Sequence, residues 1–143
     1  MQEYLDFATR NPLLTAAWFG LAGTLIYTTV RSAFSPIKSV NNHGATMLIN
    51  RENAVVVDVR TLDEFGRGHL AGAHNIIQSD IDSNNLGQVD KHKEDPIIVV
   101  CETGMRAGAA ARTLNKHGFK QVYILAGGMA QWRADNLPVT KKR

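Results

Sequence analysis

The stretch Pro96-Ile97-Ile98-Val99-Val100-Cys101-Glu102-Thr103-Gly104-Met105-Arg106, running on through Ala107-Gly108-Ala109-Ala110-Ala111 to His117-Gly118, decides how this chain folds. Ile97 to Val100 are all β-branched, stiff at χ1 and too few for a helix. Their unbroken apolarity predicts a strand buried on both faces. From Arg106 to His117 the alanines and Leu114 predict a helix, closed by Gly118 as a left-handed cap. Only a short polar loop separates the two, so the segment is a strand–loop–helix unit of an α/β protein.

The same grammar recurs on either side. Ala54-Val55-Val56-Val57-Asp58-Val59 predicts a second buried strand, and Gln121-Val122-Tyr123-Ile124-Leu125 a third. Ala45, Met47, Leu48 and Ile49 predict a short helix before the first of these. Strands alternating with helices predict an α/β domain with a central, mainly parallel sheet flanked by helices, and such sheets gather ligands at the carboxyl ends of their strands. Asp58 and Cys101 both fall at such ends. Gln78 to Glu94 is polar and rich in Asp and Asn, with a weak helical pattern over Leu86 to Lys93, and it reads as an exposed excursion.

Between Arg10 and Arg31 no residue carries a formal charge, over a length that matches the ~30 Å of hydrocarbon a spanning helix must cross at ~1.5 Å per residue. Leu13-Leu14, Ala16-Ala17-Trp18-Phe19, Leu21-Ala22 and Leu25-Ile26-Tyr27 are apolar all round, which distinguishes the segment from a surface helix. Thr15, Thr24, Thr28 and Thr29 can return their hydroxyl bonds to the helix, and Asn11 and Pro12 suit its start. A cleaved signal needs a cationic opening and a small-residue cleavage site, but the chain opens with Glu3 and Asp6 and offers only Ser32-Ala33-Phe34. The organisation expected is therefore an N-terminal tail over 1–10, a transmembrane helix over 11–30, a linker over 31–38 and one globular domain over 39–143. Arg31 and Lys38 outweigh Arg10 beside its two acids, so the domain should face the cytoplasm of a single-pass protein, in a bacterium at the inner membrane. Ala16, Gly20 and Gly23 share a stripe that could seat a helix of a membrane protein partner.

Composition narrows the classes of function. With 143 residues, 44% of them hydrophobic and 20% charged, the chain suits one packed domain and an appendage. One cysteine leaves no internal disulfide. The net charge of +3 is scattered, without a basic stripe interleaved with aromatics, so nucleic acid is not an expected partner. The basic end Lys141-Lys142-Arg143 reads as a solvated tail. The five histidines and Cys101 show no ligand spacing, and neither metal nor cofactor is expected.

Chemistry concentrates at Cys101. A loop that runs from a buried strand straight into a helix can curl its amides around the thiol while the helix N-terminus points at it. Those dipoles, with the cation of Arg106, favour the thiolate, which is the nucleophilic form. This places an ionised sulfur at the mouth of a small cavity, with Glu102, Thr103, Gly104, Met105 and Arg106 forming the substrate-binding loop. Gly104 lets that loop close without a Cβ clash. Asp58 reads as an acceptor for loop amides or for Arg60, both supporting the site. His69 reads as a turn histidine bonded to backbone, and Met129 and Trp132 as core contacts.

The segment Cys101 to Arg106 resembles the active-site loop of the rhodanese family. Asp58-Val59-Arg60, Glu64-Phe65 and Gly68-His69-Leu70-Ala71-Gly72-Ala73-His74-Asn75-Ile76 are similar to the family's upstream signature. Gly118-Phe119, Val122, Leu125-Ala126-Gly127-Gly128 and Trp132 resemble its C-terminal one. The resemblance implies a small rhodanese-like domain that passes sulfane sulfur through a persulfide on Cys101, from a small donor such as thiosulfate to a thiol, protein or other nucleophilic acceptor. Related phosphatase loops hold one more residue between Cys and Arg, and the smaller ring suits a single sulfur. Glu102 puts a negative charge beside the nucleophile, which would weaken use of an anionic donor if it faces the site. The alternative function is a membrane-tethered interaction module with little catalysis, binding a membrane protein.

Overall fold

The computed structural model describes residues 1–141, so Lys142 and Arg143 of the basic end lie outside the described residues. The chain divides into two compact units, residues 1–35 and 36–143.

The first unit holds two helices, α1 (Gln2–Arg10) and α2 (Pro12–Ala33). The stretch read as a tail is thus helical, with Tyr4, Phe7 and Ala8 on one side and Glu3, Asp6 and Arg10 on another. Spacing of three and four residues puts each set on a common face. The apolar set meets Leu14, Thr15, Trp18 and Phe19 of α2 around a cleft of about 580 Å³. Helix α2 starts with Pro12 in its first turn, and Thr24 and Thr29 return their hydroxyl bonds to the carbonyls of Gly20 and Leu25 at 2.8 Å each. None of it is buried within the protein, and it is long and apolar enough to cross a membrane.

The second unit carries a five-stranded, all-parallel sheet in the order β1-β5-β4-β2-β3. Its strands are β1 (Ile37–Val40), β2 (Val55–Asp58), β3 (His74–Asn75), β4 (Ile97–Val100) and β5 (Val122–Leu125). The three strands expected from β-branched runs form its centre. Ile37–Val40 straddles the boundary at residue 38 between the expected linker and the domain, and pairs with Val122–Leu125 as an edge strand. Its four residues, beside a proline, are apolar only at the ends, Ile37 and Val40, so no two-residue period stands out.

Alternate residues of the central strands feed two cores. On one face Val57, Val59, Ile97, Val99 and Val122 pack with Ala107, Ala110, Ala111 and Leu114 of helix α6 (Ala107–Lys116). On the other, Val56, Ile98, Val100 and Leu125 pack with Ala45 of α3 (Asn42–Glu52), Leu70, and Met129 and Trp132 of α7 (Gly128–Ala134). Asn41 caps α3 by accepting from the Gly44 amide at 2.8 Å. Asn53, in the left-handed region, ends it.

The polar stretch after residue 78 is not simply an exposed excursion. It forms α5 (Gln78–Asp82) and a 3-10 helix (Gly87–His92), and inserts Ile81, Leu86 and Val89 into the α6-side core. The apolar residues are spaced too widely to show a period, and burial was hidden by the polar residues between them. His117 Nε2 lies 2.9 Å from the Ile81 carbonyl oxygen, fixing α5 against α6.

Candidate active site

Cys101 follows the last residue of β4, and Asp58 is the last residue of the adjacent strand β2. The loop Cys101–Arg106 crosses from that sheet edge to the first turn of α6. Its shape is set from the opposite side by α7. The amides of Met129 and Ala130 donate to the carbonyls of Cys101 and Glu102, at 2.9 Å each. Because a trans peptide directs its C=O and N–H oppositely, the amides of Glu102 and Thr103 then point away from α7. Gly104, at φ +98°, turns the chain and donates its own N–H to Cys101 Sγ at 2.9 Å.

Gly128 makes this docking possible. At φ +58° it occupies backbone space that favours glycine, and a Cβ there would lie 2.4 Å from the Cys101 carbonyl oxygen and 2.6 Å from that of Glu102.

The expected place of the sulfur is corrected. Cys101 is 1% exposed and belongs to the same core cluster as Val99, Ala107 and Ala110, so the thiol lies beneath the loop rather than at the mouth of a cavity. The strand leads Cys101 inward, and the loop then folds over it. Arg106 supports the sulfur through its charge, with Cys101 contributing less to its raised pKa than Glu64 does. Its guanidinium is half-exposed and pairs with Glu64 of α4 (Leu62–Arg67), at 3.0 Å and 3.4 Å. The Glu64 hydrogen bond is also the main reason that Arg106 holds its proton more tightly than usual.

Glu64 does two jobs at once. Thr61 and Glu64 form a capping box that starts α4: the Thr61 amide donates to Glu64 Oε2 at 2.9 Å, and the Glu64 amide donates back to the Thr61 hydroxyl at 3.3 Å. Hydrogen bonding from Arg106 first, and from the Thr61 amide second, holds the Glu64 carboxyl down to about 2 from 4.5.

Beside the loop, Asp58 and Arg60 form a pair that is almost wholly buried. Arg60 Nη2 donates to Asp58 Oδ2 and to the Gly68 carbonyl at 2.8 Å each, and Nε donates to Asp58 Oδ1 at 3.0 Å. Burial opposes the Arg60 charge, but Asp58 and then Glu102 outweigh it and hold the guanidinium above its ordinary value. Asp58 also accepts the Arg60 amide at 3.0 Å, as expected of a structural acceptor. Glu102 therefore does not aim a free charge at the thiol: it bridges Arg60, at 3.2 Å, and Arg133 of α7. Arg60, Glu64, Arg67, Glu102 and Arg133 line a cavity of about 290 Å³.

The remaining loop side chains turn outward. Thr103 is exposed and Met105 is 87% exposed, so they contribute backbone and access, not enclosure. His69 accepts or donates at Nδ1 with the Phe65 carbonyl at 2.8 Å and stacks on the Phe65 ring, a turn histidine as expected. Glu64, Arg133 and Gly128 received no site role from the sequence. Thr61-x-x-Glu64 carried a readable capping signal, whereas no local pattern betrays that Arg133 and Gly128 come back to the loop.

Taken together, the site is a sulfur at the end of a parallel strand, covered by a loop that sets the Gly104 amide on it and flanked by the ion pairs of Arg60, Arg106 and Arg133. Such an amide stabilises an ionised sulfur and the anions that react with it.

Comparisons with known proteins point the same way. The family described as Rhodanese-like domain matches residues 44–135. The uncharacterized protein YibN of Escherichia coli (strain K12) is 44% identical over 141 residues, 99% of each chain. Thiosulfate sulfurtransferase GlpE of Shewanella oneidensis is 30% identical over 102 residues, 71% of this chain and 98% of that protein. Among solved structures, the polysulfide-sulfur transferase homodimer from Wolinella succinogenes has a TM-score of 0.62 at 25% identity, covering 84% of this chain and 90% of that one.

Proposed function

Because the chain belongs to the rhodanese-like family, we propose that it is a sulfurtransferase whose nucleophile is the Cys101 thiolate. The observation that carries this reading is the Gly104 amide 2.9 Å from Cys101 Sγ, in a loop whose Cys101 and Glu102 carbonyls are drawn off by α7. With those carbonyls accepting from α7, the Glu102 and Thr103 amides on the opposite side of the same peptides can serve a negatively charged sulfur.

In the first half-reaction the Cys101 thiolate attacks the sulfane sulfur of a donor such as thiosulfate. A Cys–S–S bond forms, the donor's S–S bond breaks, and sulfite leaves with the bonding pair. In the second, an acceptor thiolate attacks the terminal sulfur of the persulfide, takes it, and returns Cys101 as a thiolate. The amides of Glu102, Thr103 and Gly104 stabilise the charge on the persulfide's outer sulfur, as preorganised dipoles do. The exposed tip at Thr103 and Met105 must move aside to admit the donor, since Cys101 is covered at rest.

The same reading places the domain at a membrane. Helix α2 serves as a single-pass anchor in the bilayer, and the cations Arg31 and Lys38 keep the domain on the cytoplasmic side. A membrane tether suits delivery of sulfur to an acceptor protein at the same surface.

The test uses the full-length chain in a mild detergent. After incubation with thiosulfate, mass spectrometry of the Cys101 peptide should show one added sulfur, and the Cys101→Ser chain should show none. A wild-type chain that gains no sulfur from thiosulfate or from an organic persulfide would reject the reading.

A further inference from the structure

Resting on the sulfurtransferase reading, we propose that Glu64 is a specificity-determining positioning residue: it acts as an internal counter-anion for Arg106, turning the loop away from small oxyanion donors and toward organic persulfides.

The loop is flanked by four arginines, Arg60, Arg67, Arg106 and Arg133, and the chain answers three of them itself. Arg60 is satisfied by Asp58 and Glu102, Arg133 by Glu102, and Arg106 by Glu64. Arg67 alone has no hydrogen-bond or ion-pair partner among the described residues, and it lies across the cavity on α4. A small dianion that sought Arg106 would have to displace a carboxylate already in place.

That carboxylate is not loosely held. Glu64 accepts from both terminal nitrogens of Arg106, and its Oε2 also takes the Thr61 amide at 2.9 Å and the Thr61 hydroxyl at 3.0 Å. Donors from two elements fix it, so swinging it aside costs the α4 cap as well as the ion pair. A persulfide on an uncharged carbon skeleton presents one charge at the reacting sulfur, which the loop amides serve, and makes no demand on Arg106.

Glu64→Gln separates charge from architecture. A glutamine at this position of a capping box still accepts the Thr61 amide through its carbonyl oxygen, so α4 keeps its start while Arg106 loses its counter-ion. Removing a unit charge at about 4 Å from an incoming anion in water changes its affinity by roughly fivefold, and more where solvent is excluded. The KM for thiosulfate should therefore fall by about fivefold or more in the full-length Glu64→Gln protein. The KM for 2-hydroxyethyl persulfide should change by less than about twofold, and the variant should remain folded at the assay temperature, its melting temperature lowered only by the loss of the Glu64 charge.

An equal change for both donors, or an unchanged or higher KM for thiosulfate in a folded variant, overturns the proposal. A readout independent of turnover keeps it apart from the sulfurtransferase reading: protection of Cys101 from iodoacetamide by sulfate. Sulfate should protect the Glu64→Gln chain at about a fifth of the concentration needed for wild type, and adding Arg106→Gln should abolish the gain. Should neither donor load Cys101, the sulfurtransferase reading fails while sulfate protection still decides what Glu64 does. Should Glu64→Gln unfold, the Arg106→Gln chain decides instead, because wild-type-like sulfate protection there is what an already neutralised Arg106 requires, and a large loss refutes it.

Discussion

Gly128→Ala tests whether α7 sets the shape of the loop over Cys101. The added Cβ would stand 2.4 Å from the Cys101 carbonyl oxygen, and an ordinary C···O approach is about 3.3 Å, so loop and helix must part by about 0.9 Å. Forcing alanine to the +58° φ of this position costs about 1 to 2 kcal/mol. Loosening the hydrogen bonds from Met129 and Ala130 adds about 1 kcal/mol each. The total, about 3 to 4 kcal/mol, should lower the melting temperature by about 15 to 20 °C for a domain of this size. Activity should fall further than stability suggests, since a displacement near 1 Å at a reacting centre costs about a hundredfold in rate. Circular dichroism on melting and the rate of Cys101 alkylation at 20 °C measure the two effects. Gly72→Ala supplies the control: its φ is +76° with nothing within 4 Å of the new Cβ, so it isolates the backbone cost and should leave alkylation unchanged. If Gly128→Ala behaved like Gly72→Ala in both measurements, docking of α7 would not shape the loop.

Arg60→Met leaves Asp58 as an uncompensated buried charge and should cost about 3 to 5 kcal/mol in urea unfolding; a loss below 1 kcal/mol would show that water reaches the pair. Glu64 has a folded-state pKa lowered from 4.5 to about 2, so its stabilising contribution is present above about 4.5 and is lost as the pH falls toward about 2. Melting temperatures of wild type and Glu64→Gln should therefore converge across that acid window, and parallel curves would contradict the assignment. Leu21→Arg in the middle of α2 adds about 2.5 to 3.5 kcal/mol to membrane insertion and should move the protein from the alkali-resistant membrane pellet to the supernatant, an outcome that an already soluble wild type would rule out.

What the sequence made legible was the part of the fold in which each residue's environment repeats along the chain. Runs such as Ile97–Val100 are apolar throughout because both faces of their strands are covered, and the loop after β4 could be placed because a strand must end before a helix begins. Ile37–Val40 escaped because an edge strand of four residues, apolar only at its two ends, shows no two-residue period. Ile81 and Val89 escaped for a related reason: each is a single apolar residue driven into the core from a polar segment. At the candidate site, the place of Cys101 at a strand end and the Asp58–Arg60 pair were legible from position and type. The partners of Arg106 and Glu102 were not, because Glu64 and Arg133 lie 42 and 31 residues away from them.

The charge of Glu102 shows why a residue's role depends on these distant partners. Read alone, a carboxylate next to Cys101 would oppose an anionic sulfur there. In the folded chain it spans Arg60 and Arg133, joining the end of β2 to α7 across the loop. That makes the buried Asp58–Arg60 pair more than a matter of stability. An apolar pair of similar volume often matches or exceeds the stability of a buried ion pair, so stability alone is a weak reason for keeping Arg60. But an apolar replacement would take away the Gly68 tether and one of the two cations that hold Glu102. Glu102 would then answer to Arg133 alone, at a half-exposed site where water competes with the pair. The pair is thus a device for holding the loop and its neighbouring charge in one arrangement, at some cost in the stability that a purely apolar strand end would provide.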